Sequence, residues 1–242
     1  MVTVPTRSGV TQSFLIAEMG GRRPEAVALL YIGGSGNIGL RLEDGRVEFA
    51  ARNFLPRSRF EFARNAILPV VMDAPSDQGD VPDHYRMGRE QTADARVVIA
   101  ELKKRYPGLP VYLVGTSRGT LSAAYVSRAL GDDIAGVVLT SSLFTSRRRS
   151  GSASLQGFDY ASIKVPLLFV HHREDACDGT PYSRAAGLAD RYPLVSVNGG
   201  KPAESGPCEP LSAHGFLGKE AETVDAIAAW MLKRPFPQEI GK

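Results

Sequence analysis

Long apolar runs are missing from this sequence. The longest, such as residues 26–32 and 165–170, fall far short of the roughly 20 residues a membrane-crossing helix needs, so no span is expected. Strong charge of one sign is missing too. A net charge of +3 over 242 residues, with no aromatic residues interleaved among basic ones, argues against a nucleic-acid partner. Residues 1–10 lack the basic-then-apolar order of a secretory signal, so none is expected there. Cysteine is limited to Cys177 and Cys208. A bridge between them would close a loop of about 30 residues and add a few kcal/mol. Such a bridge is expected if the protein is periplasmic or secreted after loss of a signal, whereas a cytoplasmic location would leave two unrelated thiols. Histidine is scarce as well, which confines any catalytic imidazole to His84, His171, His172 or His214.

What is present suffices for a sizeable core. With 43% hydrophobic and 23% charged residues, the chain reads as one α/β domain over residues 1–242, without internal repeats. Strand-like runs at 26–32, 67–72, 111–114, 134–140, 165–171 and 194–197 alternate with helical patterns, clearest at 88–105, 118–130, 180–191 and 219–232. This alternation predicts a mostly parallel sheet covered on both faces. Residues 141–154 are rich in Ser and Arg and read as a surface loop with Arg147, Arg148 and Arg149 solvated, or alternatively facing an anionic substrate. The connection of about 25 residues between the fourth and fifth strands leaves no room for a cap domain.

Gly115-Thr116-Ser117-Arg118-Gly119 falls where the run 110–114 meets the helical pattern from Arg118 onward. A serine at such a turn exposes its hydroxyl, and flanking glycines let strand and helix approach without Cβ clashes. A bare Gly/Ser helix entry, with Ser117 as a cap, is the competing reading. The strand-before, helix-after context favours a nucleophile.

A serine hydroxyl needs an imidazole as base and a carboxylate to orient it. His214 lies in a loop after the last predicted strand and before a helix, and is the expected base. His171 and His172 close a strand and are expected to pack beside the site; His84 is assigned no role. Asp175, first after the strand ending at His171-His172, is the expected acid, with Asp178 and Glu174 as alternatives. For a developing oxyanion, the amide of Arg118 and one from the glycine loop Gly33-Gly34-Ser35-Gly36 are the candidate donors, Gly34 before Ser35. The same loop also matches G-x-G-x-x-G in Gly34-Ser35-Gly36-Asn37-Ile38-Gly39. Here an Asp44-Gly45 turn signal follows where a dinucleotide site needs a helix, which argues against a nucleotide-binding oxidoreductase.

The glycine loop, the serine turn, Val170-His171-His172-Arg173-Glu174-Asp175 and Ala213-His214-Gly215 in this order resemble the α/β-hydrolase superfamily, from about residue 26 to 232. Ile32-Gly33 stands where that family has His-Gly, and His172 where it often has Gly. The resemblance implies a central, mostly parallel eight-stranded sheet, with Ser117, Asp175 and His214 as nucleophile, acid and base and with neither metal nor cofactor. The expected activity is hydrolysis of a small-molecule carboxylic ester through an acyl-enzyme, with short or medium acyl groups favoured by the absence of a cap. An amidase, peptidase or acyltransferase would use the same three residues, and a non-catalytic binding protein on this fold would lack one of them.

Overall fold

A computed structural model describes residues 1–17, 19–146 and 153–241. The strands are β1 (Val2–Arg7), β2 (Val10–Ile16), β3 (Ala26–Tyr31), β4 (Arg41–Glu43), β5 (Arg46–Glu48), β6 (Ile67–Pro75), β7 (Val111–Thr116), β8 (Gly136–Thr140), β9 (Leu167–His172), β10 (Leu194–Val197) and β11 (Glu239–Ile240). The helices are α1 (Phe54–Arg57), α2 (Arg59–Arg64), α3 (Asp83–Arg86), α4 (Arg89–Arg105), α5 (Gly119–Leu130), α6 (Tyr182–Ala186) and α7 (Glu220–Met231).

Nine strands form one sheet in the order β1-β2-β6-β3-β7-β8-β9-β10-β11. Within it the pairs β1–β2 and β2–β6 are antiparallel and the others parallel, while β4 and β5 form a separate antiparallel pair. Side chains alternate across a pleated strand, so β3 sends Val27, Leu29 and Tyr31 to one face and Ala26, Ala28 and Leu30 to the other. The first face packs against Val98, Ile99 and Leu102 of α4 and Leu121, Val126 and Leu130 of α5. The second packs against Phe54 of α1, Phe62 of α2 and Val224, Ile227 and Met231 of α7. Both faces of β3 are therefore dry, which is why its sequence reads as an unbroken apolar run.

The sheet has nine strands where the resemblance implies eight. The ninth, β11, is two residues long and arises because the chain after α7 runs back beside β10, where Ser196 N donates to Gln238 O and Asn198 N to Ile240 O, both at 2.8 Å. The helix expected over 180–191 shrinks to α6. Beyond Gly187 the bonds Leu188 N→Ala185 O and Ala189 N→Ala186 O span three residues rather than four, so the chain continues as turns. Strand β9 starts at Leu167 because Pro166 cannot donate to a ladder. Among the described residues, the β8–β9 connection holds one short 3₁₀ turn, Tyr160–Ser162, and no cap domain. Arg147, Arg148 and Arg149 lie outside the described residues. No described helix is long and apolar enough to cross a membrane.

Candidate active site

Parallel strands finish at a common edge, so the loops after β3, β7, β9 and β10 gather there. The turn after β7 carries Ser117 at φ +52°, a left-handed conformation that costs a non-glycine residue on the order of 1–2 kcal/mol. Its surroundings hold it there. Ser117 N donates to Thr140 O at 3.1 Å, and Ser117 O accepts from Thr120 N at 2.9 Å and Thr120 Oγ1 at 2.6 Å. Both flanking glycines are required by contact. A Cβ on Gly119 would stand 2.1 Å from Tyr31 O, and one on Gly115 would stand 2.5 Å from Gly119 O.

His214 sits in a 3₁₀ turn (Ala213–Gly215) whose first residue follows Ser212, and Ser212 Oγ accepts from His214 N at 3.2 Å. Gly215 presses so closely on Pro210 that an added Cβ would lie 2.0 Å from the Pro210 carbonyl oxygen. His214 Nδ1 lies 3.0 Å from Asp175 Oδ2, with the Asp175 side chain fully buried. Asp175 Oδ1 accepts from Cys177 N at 3.0 Å, and Oδ2 accepts from Thr180 Oγ1 at 2.7 Å. Glu174 and Asp178 are exposed. Of the three carboxylates considered, Asp175 is thus the one beside His214.

Cys177 and Cys208 are bridged, with Cα atoms 4.6 Å apart. The bridge ties the loop of Asp175 to the loop of His214. Ser117 and His214 line one cavity of about 190 Å³, together with Gly34, Asn53, Phe54 and Glu209. Clefts of about 380 and 400 Å³ lie elsewhere, so it is the chemistry of the lining, not size, that marks this cavity.

In the glycine loop, Gly34 (φ +59°) follows Gly33, whose carbonyl accepts from Gly36 N at 3.2 Å. Among the described residues the amides of Gly34, Ser35 and Arg118 have no acceptor. Gly34 lines the cavity. Ser35 does not: its carbonyl accepts from Val81 N at 2.6 Å and its Oγ from Asn37 N at 3.3 Å, which turns it toward the next loop. Arg118 follows Ser117 directly, and its guanidinium binds Asp83 Oδ1 at 2.6 Å and Gly34 O at 3.0 Å rather than entering the cavity.

His171 is completely buried and accepts at Nε2 from Ser142 N at 3.0 Å; burial pushes its pKa down to about 3, so it is neutral. His172 donates from Nε2 to Gly199 O at 2.8 Å while its Nδ1 accepts from Glu174 N at 3.1 Å. Both support the loop rather than reach the cavity, and His84 is exposed on α3.

Three supporting residues carry no local sequence signal. Thr180 closes the Asp175–His214 pair. Arg57 of α1 donates to Gly215 O at 2.7 Å and Pro210 O at 3.2 Å, fixing the histidine loop. Arg86, buried under the glycine loop, donates to Ile32 O, Gly34 O, Val81 O and Ser122 Oγ. Burial lowers its pKa to about 9, which leaves it charged at neutral pH.

No protein-family model and no curated protein matches the chain. Solved structures do. Est1E from Butyrivibrio proteoclasticus with ferulic acid bound is similar at TM-score 0.64 and 13% identity, over 97% of this chain and 100% of that one. A serine hydrolase without lid from Xanthomonas campestris is similar at TM-score 0.55 and 14% identity, over 89% and 88%. A soluble variant of monoglyceride lipase from Saccharomyces cerevisiae is similar at TM-score 0.55 and 11% identity, over 93% and 91%. The chain has the α/β-hydrolase fold.

Within this fold the crevice outside the carboxyl ends of the parallel strands is where ligands bind as a rule of topology. The hydrolase fold of this chain places Ser117, Asp175, His214 and Gly34 at that edge, each on a connection that follows a strand and not inside the sheet.

Proposed function

We propose that this chain is a serine hydrolase that cleaves carboxylic esters. The observation that carries the reading is the Asp175–His214 pair at 3.0 Å, whose His214 lines a cavity together with a serine held at positive φ. His214 Nε2 takes the proton of Ser117 Oγ as that oxygen attacks the ester carbonyl, while Asp175 holds the Nδ1 hydrogen and balances the imidazolium. The amides of Gly34 and Arg118, free of other acceptors, meet the oxyanion. Collapse expels the alcohol with the proton from His214, and water then releases the acid from the acyl-enzyme. Among the described residues no hydrogen bond joins Ser117 Oγ to His214; catalytic contacts of this kind commonly tighten only around substrate. A cavity of about 190 Å³ without a cap suits short or medium acyl groups, or an exposed ester on a larger molecule. The ferulic acid in the Est1E structure and the substrate analogue in the lipase structure lend support to a small-molecule ester substrate.

The test is labelling with a fluorophosphonate, followed by a p-nitrophenyl ester series of increasing chain length. Expected are an adduct at Ser117, its loss in Ser117→Ala, and turnover falling as the chain lengthens. An unlabelled wild-type protein, or undiminished ester hydrolysis in Ser117→Ala, overturns the proposal. Added alcohol or amine acceptors in the same assay measure how much acyl-enzyme goes to transfer instead of water.

A further inference from the structure

Besides the free backbone amides, a side-chain donor at the cavity is uncommitted among the described residues. Asn53 is the N-cap of α1, and its Oδ1 accepts from Leu55 N at 3.5 Å. That contact decides the orientation of the amide, because a backbone N–H can be met only by its oxygen; the NH₂ end must face the other way. Nδ2 lies 3.5 Å from the point where a Cβ on Gly33 would stand, and Ser117 Cβ lies 2.8 Å from the same point. Asn53 lines the cavity beside Ser117, Gly34 and His214, and among the described residues its Nδ2 has no acceptor. Its position is also braced. Asn53 O accepts from Arg57 N at 3.0 Å, and the Arg57 side chain is anchored on the carbonyls of Pro210 and Gly215.

Building on the serine-hydrolase reading, we propose that Asn53 Nδ2 is a third donor to the substrate carbonyl oxygen as it becomes an oxyanion. When Ser117 Oγ bonds to the carbonyl carbon, its proton passes to His214 Nε2 and the π pair moves onto the oxygen. Asn53 keeps its own protons and adds a fixed dipole where that charge appears, beside the amides of Gly34 and Arg118. The donor is a side chain from the segment before α1, far in sequence from both the glycine loop and the serine turn.

Asn53→Ser separates this role from capping, because serine is an equally good N-cap but is too short to reach the oxyanion and adds no charge. Its expected kcat on a p-nitrophenyl ester is lower by about 10²-fold, the usual cost of one oxyanion donor. KM and the thermal midpoint stay unchanged. Inhibition by a trifluoromethyl ketone, which forms a tetrahedral adduct, weakens by the same factor. Asn53→Ala loses both cap and donor, so its midpoint falls as well. Wild-type kcat in Asn53→Ser, or a change confined to KM, overturns the role of Asn53 and leaves the hydrolase reading standing. A wild-type protein that neither reacts with the fluorophosphonate nor turns over overturns both.

Discussion

Asp175 is held at both oxygens, by Cys177 N and by Thr180 Oγ1, before His214 adds its own bond. Asp175→Asn should cost about four orders of magnitude in kcat, since an amide there favours the wrong imidazole tautomer. Asp178→Asn, at an exposed side chain, should change little; the opposite ranking, read from ester kinetics, would move the acid to Asp178. His171 makes a prediction about pH. Its pKa in the folded protein, about 3, lies below the ordinary value near 6.5 because burial disfavours the cation; His214 disfavours it too, while Asp175 works the other way. Between those two pH values the unfolded chain binds a proton that the folded protein refuses. Stability contributed above the higher pH is therefore lost as pH falls toward the lower one. His171→Gln, which keeps an acceptor for Ser142 N, should lose less stability than wild type over this window, by up to one proton in the slope. Parallel stability curves in urea at stepped pH would refute it.

The strand–turn–helix unit β7–α5 is set by its contacts with β3. Glycine to alanine normally helps a helix by about 1 kcal/mol, yet Gly119 opens α5 with Tyr31 O and Ile32 O where the methyl would go. Gly119→Ala should destabilise by about 3 kcal/mol, as overpacking does. It should also lower kcat, because Ile32 leads into the glycine loop. Gly187→Ala is the control. At the end of α6 its φ is −68° and an added Cβ would meet only ordinary contacts at 3.5 Å and beyond, so the same change should be neutral or stabilising by up to about 1 kcal/mol. Urea midpoints of the two variants decide it, with equal shifts counting against the close-approach argument.

For the molecule as a whole, the bridge Cys177–Cys208 spans 31 residues of sequence and joins two loops that share no ladder. Reducing it, or replacing both cysteines by serine, should lower stability by about 2–4 kcal/mol. Activity should fall as well, because Cys177 N is one of the groups holding Asp175. Thermal unfolding and ester turnover with and without reductant measure both effects; an activity indifferent to reduction would mean that packing alone aligns the loops. The two core layers share the sheet between them, so we propose that the chain unfolds as one cooperative unit, a single transition by fluorescence and circular dichroism.

Local pattern was enough for the elements with a dry interior. The apolar runs of β3, β7 and β9 and the glycine-flanked Ser117 are legible in sequence because burial on both faces and a tight turn each demand particular residue types nearby. Edge and rim elements are not. The two-residue β11, the half-exposed β1 and the shortened α6 depend on neighbours supplied by distant parts of the chain. The same division runs through the candidate site. Ser117, His214 and the choice among Glu174, Asp175 and Asp178 could be framed from spacing, but only the fold determines which carboxylate meets the imidazole. Only the fold, too, brings Arg57 to Gly215, Arg86 to Gly34 and Thr180 to His214, and sets Asn53 beside the cavity. These placements depend on parts of the chain far away in sequence, and no local rule for turns or periodicity encodes such a distance.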